Sequence, residues 1–120
     1  MSPAEVVQRQ VDAYNARDLV RFAACYTESI AIFRMPSLTP SIAGKTQLEA
    51  AYRNRFCAPQ LHADILTRVV LGNKVVDHER VRGIETQPIE AVAIYEVEGD
   101  LIRTVWFFFP HESAAGPVRS

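Results

Sequence analysis

The sequence predicts an α+β domain. Apolar residues recur at helical spacing in the first half, at positions 7, 11 and 14 and again at 48, 52 and 56, whereas the second half alternates with period two across two tight-turn signals. Helices segregated from antiparallel strands define that class. With 120 residues, 48% hydrophobic and 22% charged, the chain has the length and apolar content for one core without metal or disulfide staples. Residues 1–110 are read as that single domain. Residues 111–120 (HESAAGPVRS) offer little to bury and are read as a flexible tail.

Each element has a local cause. Ser2 is an N-cap, Pro3 takes the first helical position and Glu5 sits at N3, the pattern of a capping box. Val7, Val11 and Tyr14, with Gln10 alongside, form the inward stripe of that helix. Residues 15–18 (NARD) break it and cap a short second helix whose inward face is Leu19, Phe22, Ala23 and Tyr26. Residues 30–35, dense in β-branched and aromatic side chains and closed by Pro36, read as a strand. Residues 36–44 (PSLTPSIAG) read as a loop, and helical spacing returns over 45–56 through Leu48, Ala51, Tyr52 and Phe56.

Strands at 61–71 and 74–83 flank Gly72-Asn73, and strands at 88–97 and 101–110 flank Glu98-Gly99-Asp100. The first turn sets a register with Arg68 opposite Asp77, Leu66 opposite Glu79 and Asp64 opposite Val81. One face then gathers His62, Asp64, Arg68, Asp77, Glu79 and Val81, and the other carries Ala63, Thr67, Val69, His78 and Arg80. The last hairpin is apolar on both faces, so both faces are covered. Three helices cover one of them. A second copy of the chain is the simplest cover for the other, which makes the expected assembly a homodimer through the outer sheet face, with Trp106 in the interface.

Composition excludes several classes. A net charge of −1 leaves no basic footprint for nucleic acid. No apolar run reaches the ~20 residues of a membrane span. Cys25 and Cys57 are isolated, and His62 stands five residues past Cys57, which is not a zinc-site spacing. Lone thiols and an N-terminus without signal-peptide character point to a reducing, cytoplasmic setting. Nucleotide-loop, nucleophile-elbow and HExxH motifs are missing, and Gly44-Lys45-Thr46 lacks the earlier glycine of a phosphate loop. Asp77-His78-Glu79 looks metal-like in text, but alternation turns the middle side chain away from its neighbours. No metal or cofactor is expected.

Three segments carry a family resemblance: VDAYNARDLVRFAACYTESIAIF, IAGKTQLEAAYRNRF and EAVAIYEVEGDLIRTVWFFF, in that order from residue 11 to residue 109. Together they resemble the nuclear transport factor 2-like superfamily in its SnoaL-like, ketosteroid-isomerase-like branch. The resemblance implies a cone-shaped, strongly curved antiparallel sheet wrapped around three helices, with an internal pocket and dimers through the outer sheet face. It does not carry steroid isomerase chemistry. The catalytic aspartate of that branch, placed just before a proline, corresponds to Arg34 in Phe33-Arg34-Met35-Pro36. Its oxyanion tyrosine falls near Gln10 and its protonated aspartate near Ala93, while two supporting tyrosines persist as Tyr26 and Tyr52.

The pocket-facing parity that the resemblance implies falls on Asp77, Glu79 and Val81, with Arg68 beside them by register and Arg34 entering from the first strand. The expected lining is Tyr14, Tyr52, Phe56, Tyr95, Val105, Phe107 and Phe109, a mostly apolar site with few polar groups that suits a small hydrophobic or weakly anionic organic molecule. Asp77 or Glu79 serves as general base in this reading, and Arg34 or Arg68 binds an anionic group or steadies an enolate. The corresponding function is a small-molecule isomerase or hydrolase working by proton transfer or water addition. The alternative is a ligand-binding or dimerisation module without chemistry, in which Arg68 and Asp77 are simply a cross-strand ion pair. His62 falls at the sheet rim, His78 on the outer face and His111 past the last strand.

Overall fold

The first helix begins where the capping box places it. The Glu5 N–H donates to Ser2 Oγ at 3.2 Å and the Ser2 N–H donates to Glu5 Oε1 at 2.7 Å. The computed structural model describes residues 1–110; the predicted tail and His111 lie outside the described residues. Helices α1 (Pro3–Asn15), α2 (Leu19–Ala23) and α3 (Lys45–Arg55) accompany strands β1 (Tyr26–Arg34), β2 (Ile42–Ala43), β3 (His62–Leu71), β4 (Lys74–Arg82), β5 (Ile89–Glu98) and β6 (Leu101–Phe108). Asp18 caps α2 by accepting from the Arg21 N–H at 3.1 Å.

The six strands form one curved, unclosed sheet in the order β2-β1-β6-β5-β4-β3. All neighbours are antiparallel except β1 and β6, which run parallel, so the sheet is mixed where the sequence suggested a purely antiparallel one. The cause is connectivity. The chain leaves β1 through β2 and α3, builds three further strands and returns beside β1, and such a long crossover permits a parallel pair. β2 lies inside the expected loop, where Ile42 pairs with Ile32 and is buried. β1 starts at Tyr26, which the helical reading had placed on α2.

A β-bulge corrects the register of the first hairpin. Arg68 pairs with Asp77 as the turn requires, but pairing shifts between Ile65 and Thr67. Glu79 then faces Ile65, not Leu66, and Val81 faces Ala63, not Asp64. One extra residue reverses the alternation of everything beyond it. Asp64 therefore leaves the inner face and accepts from Arg82 at 3.1 Å, with His62 at 3.2 Å, while Ala63 turns inward and is buried.

β4 alternates cleanly. Val75, Asp77, Glu79 and Val81 are all buried, and the residues between them are half-buried. α1 packs against β3 to β6, and α3 packs against β1 and β2. Phe22 sits at the aromatic centre of the core, its ring centroid 5.0 Å from Tyr26, 4.7 Å from Tyr52 and 5.2 Å from Phe56. On the opposite side of the sheet, Val69, Leu71 and Phe108 are exposed. Among the described residues no helix is long and apolar enough to cross a membrane.

The buried carboxylate of Asp77 is held by a two-pronged pair: Arg68 Nε donates to Oδ1 at 2.7 Å and Nη2 to Oδ2 at 2.8 Å. Arg68 Nη1 also donates to Gln8 Oε1 at 2.9 Å, which ties the pair to α1. Removing one member of a buried pair strands the other charge and costs about 3–5 kcal/mol, whereas replacing both by apolar groups is often neutral. Asp77→Ala is therefore expected to lower stability in urea unfolding by about 3 kcal/mol, and the double variant Arg68→Met/Asp77→Leu to recover most of that loss.

Candidate functional site

The inner cavity is lined by Gln10, Val11, Tyr14, Tyr26, Tyr52, Ala63, Glu79, Tyr95 and Phe107 and has a volume of about 20 Å³. Helical spacing on α1 delivers Gln10 and Tyr14, four residues and about one turn apart. α3 supplies Tyr52 and the inner face of the sheet supplies the rest. Four tyrosines and one carboxyl group therefore surround a space of roughly one water molecule.

Of the residues expected to line a pocket, Tyr14, Tyr52, Tyr95 and Phe107 do so. Phe56 stands behind Tyr14, ring centroids 5.4 Å apart at 86°, and Val105 is buried in the core without reaching the cavity. Phe109 packs on Phe107 and lies under the Arg34 guanidinium, whose Cζ is 4.6 Å from the ring centroid. Arg34 is thus placed against Phe109 and does not line the cavity. Nor do Asp77 and Arg68, which are turned onto each other. The four candidate catalytic residues do not converge on one point: Glu79 alone faces the space.

Glu79 is 4% exposed, and no hydrogen bond reaches its carboxyl group among the described residues. Burial raises its pKa, and the negative charge of Asp77 raises it further. The Arg55 guanidinium pulls the other way, and the balance leaves Glu79 pushed up to about 8. The group is mostly a neutral acid at pH 7. The same burial pushes the hydroxyls of Tyr14, Tyr26 and Tyr95 above the ordinary tyrosine value, so they are neutral donors as well.

Gln10, Val11, Tyr26 and Ala63 line the cavity, and Arg55 adjoins it, without being in the lining expected from the sequence. Arg55 Nη1 donates to Tyr14 Oη at 3.4 Å, and its Cζ lies 5.9 Å from the Tyr52 ring centroid. Its signal is present in the spacing, since Arg55 falls three residues after Tyr52 and seven after Leu48, on the inward stripe of α3. Gln10 sits on the inward stripe of α1 and is 6% exposed. Ala63 enters only because of the bulge. Among the described residues no group of three His, Cys, Asp or Glu side chains is arranged to hold a metal ion. His78 lies on the outer face and meets Glu90 at 2.8 Å, away from its sequence neighbours Asp77 and Glu79.

The model of the SnoaL-like domain matches residues 7–105. The chain belongs to the SnoaL-like domain family. No curated protein matches it. An uncharacterized cystatin fold protein from Novosphingobium aromaticivorans superposes with a TM-score of 0.82 at 26% identity, over 89% of this chain and 97% of that one. A SnoaL-like protein of unknown function from Burkholderia thailandensis gives 0.75 at 18%, over 91% and 94%. An LEH-like epoxide hydrolase from M. tuberculosis gives 0.74 at 13%, over 89% and 81%. The last two likenesses are of fold alone. For this SnoaL-like domain, then, the α+β architecture expected from sequence stands, and chemistry has to come from the cavity.

The raised pKa of Glu79 has a consequence for stability with a definite sign. In the unfolded chain the carboxyl loses its proton near its ordinary value of 4.5, and in the folded chain near 8. Between those values the folded state holds the extra proton, so stability falls as pH rises through this window and levels off above it. The limiting slope for one proton is about 1.4 kcal/mol per pH unit. Glu79→Gln is expected to remove this decline, becoming steadily more stable relative to wild type from pH 5 to 8. Carboxyl ¹³C NMR of Glu79 gives the midpoint directly.

Proposed function

We propose that the tyrosine-lined cavity receives part of a small organic molecule and that Glu79 transfers a proton to or from it. The observation that supports this reading is a carboxyl group, buried and without a hydrogen-bond partner, facing the cavity with a pKa near operating pH. A carboxylate in that range can both take and return a proton. The tyrosine hydroxyls supply donors for an oxygen of the ligand, and the four rings supply an apolar wall. Arg68 and Asp77 hold the wall in place through their mutual pair and take no part in the transfer. Arg55 and Phe56, both half-buried at the end of α3, form the side on which the rings next to the cavity can give way.

Positioned acid–base groups contribute about 10²–10⁴ in rate. On a panel of enolisable ketones and epoxides, Glu79→Gln is expected to lower turnover at least a hundredfold while the melting curve stays cooperative. Unchanged turnover with altered stability would return Glu79 to a structural role.

A second reading has its own observation. A volume of about 20 Å³ admits a water but no carbon skeleton unless side chains move. A domain whose interior stays closed would act through its surface, as a pairing module. In both readings we propose that the outer face meets a second copy of the chain. Val69, Leu71 and Phe108 are exposed there, 55%, 76% and 42% respectively, and the same face carries both signs of charge in Arg80 and Glu90, which suits a twofold contact. Sedimentation at micromolar concentration is expected to give twice the chain mass, and Phe108→Glu to shift it to the monomer.

A further inference from the structure

Two polar groups on the cavity wall are left short of hydrogen-bond partners, although the Gln10 side chain bonds Tyr26. Gln10 Oε1 is buried with no hydrogen-bond partner, and the Glu79 carboxyl group likewise meets none among the described residues. They come from different elements, α1 and β4, and face the same space. Buried polar groups are almost always satisfied by protein or by ordered water. A buried water needs about 10–15 Å³ and two to four polar partners. The cavity offers about 20 Å³, and its wall carries the two groups as well as tyrosine hydroxyls. Volume and polarity agree on one molecule.

We propose that Gln10 and Glu79 together hold a single water in this cavity and that this water is the reacting partner of the ligand. The inference rests on the reading of Glu79 as the proton-transfer group and narrows it from proton transfer in general to addition of water. The orientation follows from counting protons. The amide oxygen of Gln10 and an ionised Glu79 are both acceptors, and a water has two hydrogens to give. With both engaged, its lone pairs turn toward the remaining wall, where a ligand lies once the rings beside Arg55 and Phe56 have given way. Gln10 is the positioning residue and Glu79 the catalytic one.

The class of ligand that fits is a carbon–carbon double bond polarised by a neighbouring carbonyl, whose oxygen the neutral tyrosines can bind. As the water oxygen forms its bond to the electrophilic carbon, one water proton passes to the Glu79 carboxylate. The π electron pair moves toward the carbonyl, and the adjacent carbon takes the proton back from the Glu79 acid. One water is added, Glu79 is restored and no other reactant is consumed.

The test begins with the protein alone. An atomic-resolution crystal structure, together with ¹⁷O relaxation dispersion in solution, is expected to show one long-lived water within hydrogen-bond distance of Gln10 Oε1 and Glu79. Gln10→Met keeps similar bulk but removes the acceptor. It is expected to lose that water and to move the Glu79 carboxyl titration to higher pH, which a purely packing role would not do. No localised wild-type water overturns the proposal, and that measurement stands even if Gln10→Met fails to fold. Retention of the same water and titration in Gln10→Met also overturns it. Cyclohex-2-enone in H₂¹⁸O then probes the reacting role: a labelled 3-hydroxycyclohexanone, formed at least tenfold more slowly by Gln10→Met, supports it. Glu79-dependent turnover of ketones without any water addition overturns the inference while leaving the proton-transfer reading intact.

Discussion

The interior is organised by one guanidinium committed to one of two buried acids. Strand alternation puts Asp77 and Glu79 on the same buried face of β4, about 7 Å apart along the strand. Arg68 reaches across from β3 and closes both its prongs on Asp77, with Gln8 of α1 taking a third bond. That pairing leaves a fixed negative charge one step along the strand from Glu79. Ionising Glu79 would then bring a second charge into the same dry region, with only the half-buried Arg55 to offset it. Burial is the main cause of the neutral state of Glu79, and the charge of Asp77 adds to it. Both acids are buried on one face, and they differ in that Asp77 has a bidentate guanidinium partner and Glu79 does not.

The tyrosines extend the same logic. Their hydroxyls sit in surroundings that disfavour a phenolate, and Glu79 is among the groups raising Tyr14, Tyr26 and Tyr95. The cavity wall is therefore rich in hydrogen-bond donors but low in charge. Arg55 touches this wall at Tyr14 Oη, where its N–H occupies an acceptor position of the phenol and leaves the phenolic proton free to point elsewhere. Arg34, by contrast, is spent against the face of Phe109. Of the cations near the inner face, Arg55 is the one whose charge registers at Glu79.

How much of this is legible in the sequence depends on whether a feature is local. The capping box at Ser2 and Glu5 and the hairpin at Gly72-Asn73 are local, and both stand as read. So does Arg68 opposite Asp77, because only a short stretch of ladder separates that pair from the turn. Beyond it the Leu66 bulge intervenes, and no residue type in Ile65-Leu66-Thr67 marks it: each suits a regular strand. Asp64 and Ala63 exchange faces as a result. The parallel β1–β6 pair is non-local in the same sense, since it depends on where the returning chain docks. At the site, parity suffices to find Glu79, but not to show that Asp77 is already occupied. Arg34 is misplaced for a related reason: strand position constrains the backbone, whereas a long side chain follows the nearest aromatic face.

Local consistency fails at the cavity wall, as it does at buried Arg9 Nε and Thr27 Oγ1, and the cavity is the informative case. Val75 and Val81 satisfy the buried face of β4, and Asp77 satisfies it through a partner. Glu79 does neither. A leucine or valine there would remove the desolvation penalty and enlarge the core, and Gln10 opposite could be apolar at little cost to α1, whose stripe is otherwise Val7, Val11 and Tyr14. Sequences that fold well keep local choices in agreement with the global fold, and departures concentrate at functional sites. Here two departures, from elements distant in sequence, meet across one space of molecular size. Packing alone accounts for neither. The proposed water would account for both, since each group would gain a hydrogen bond from it.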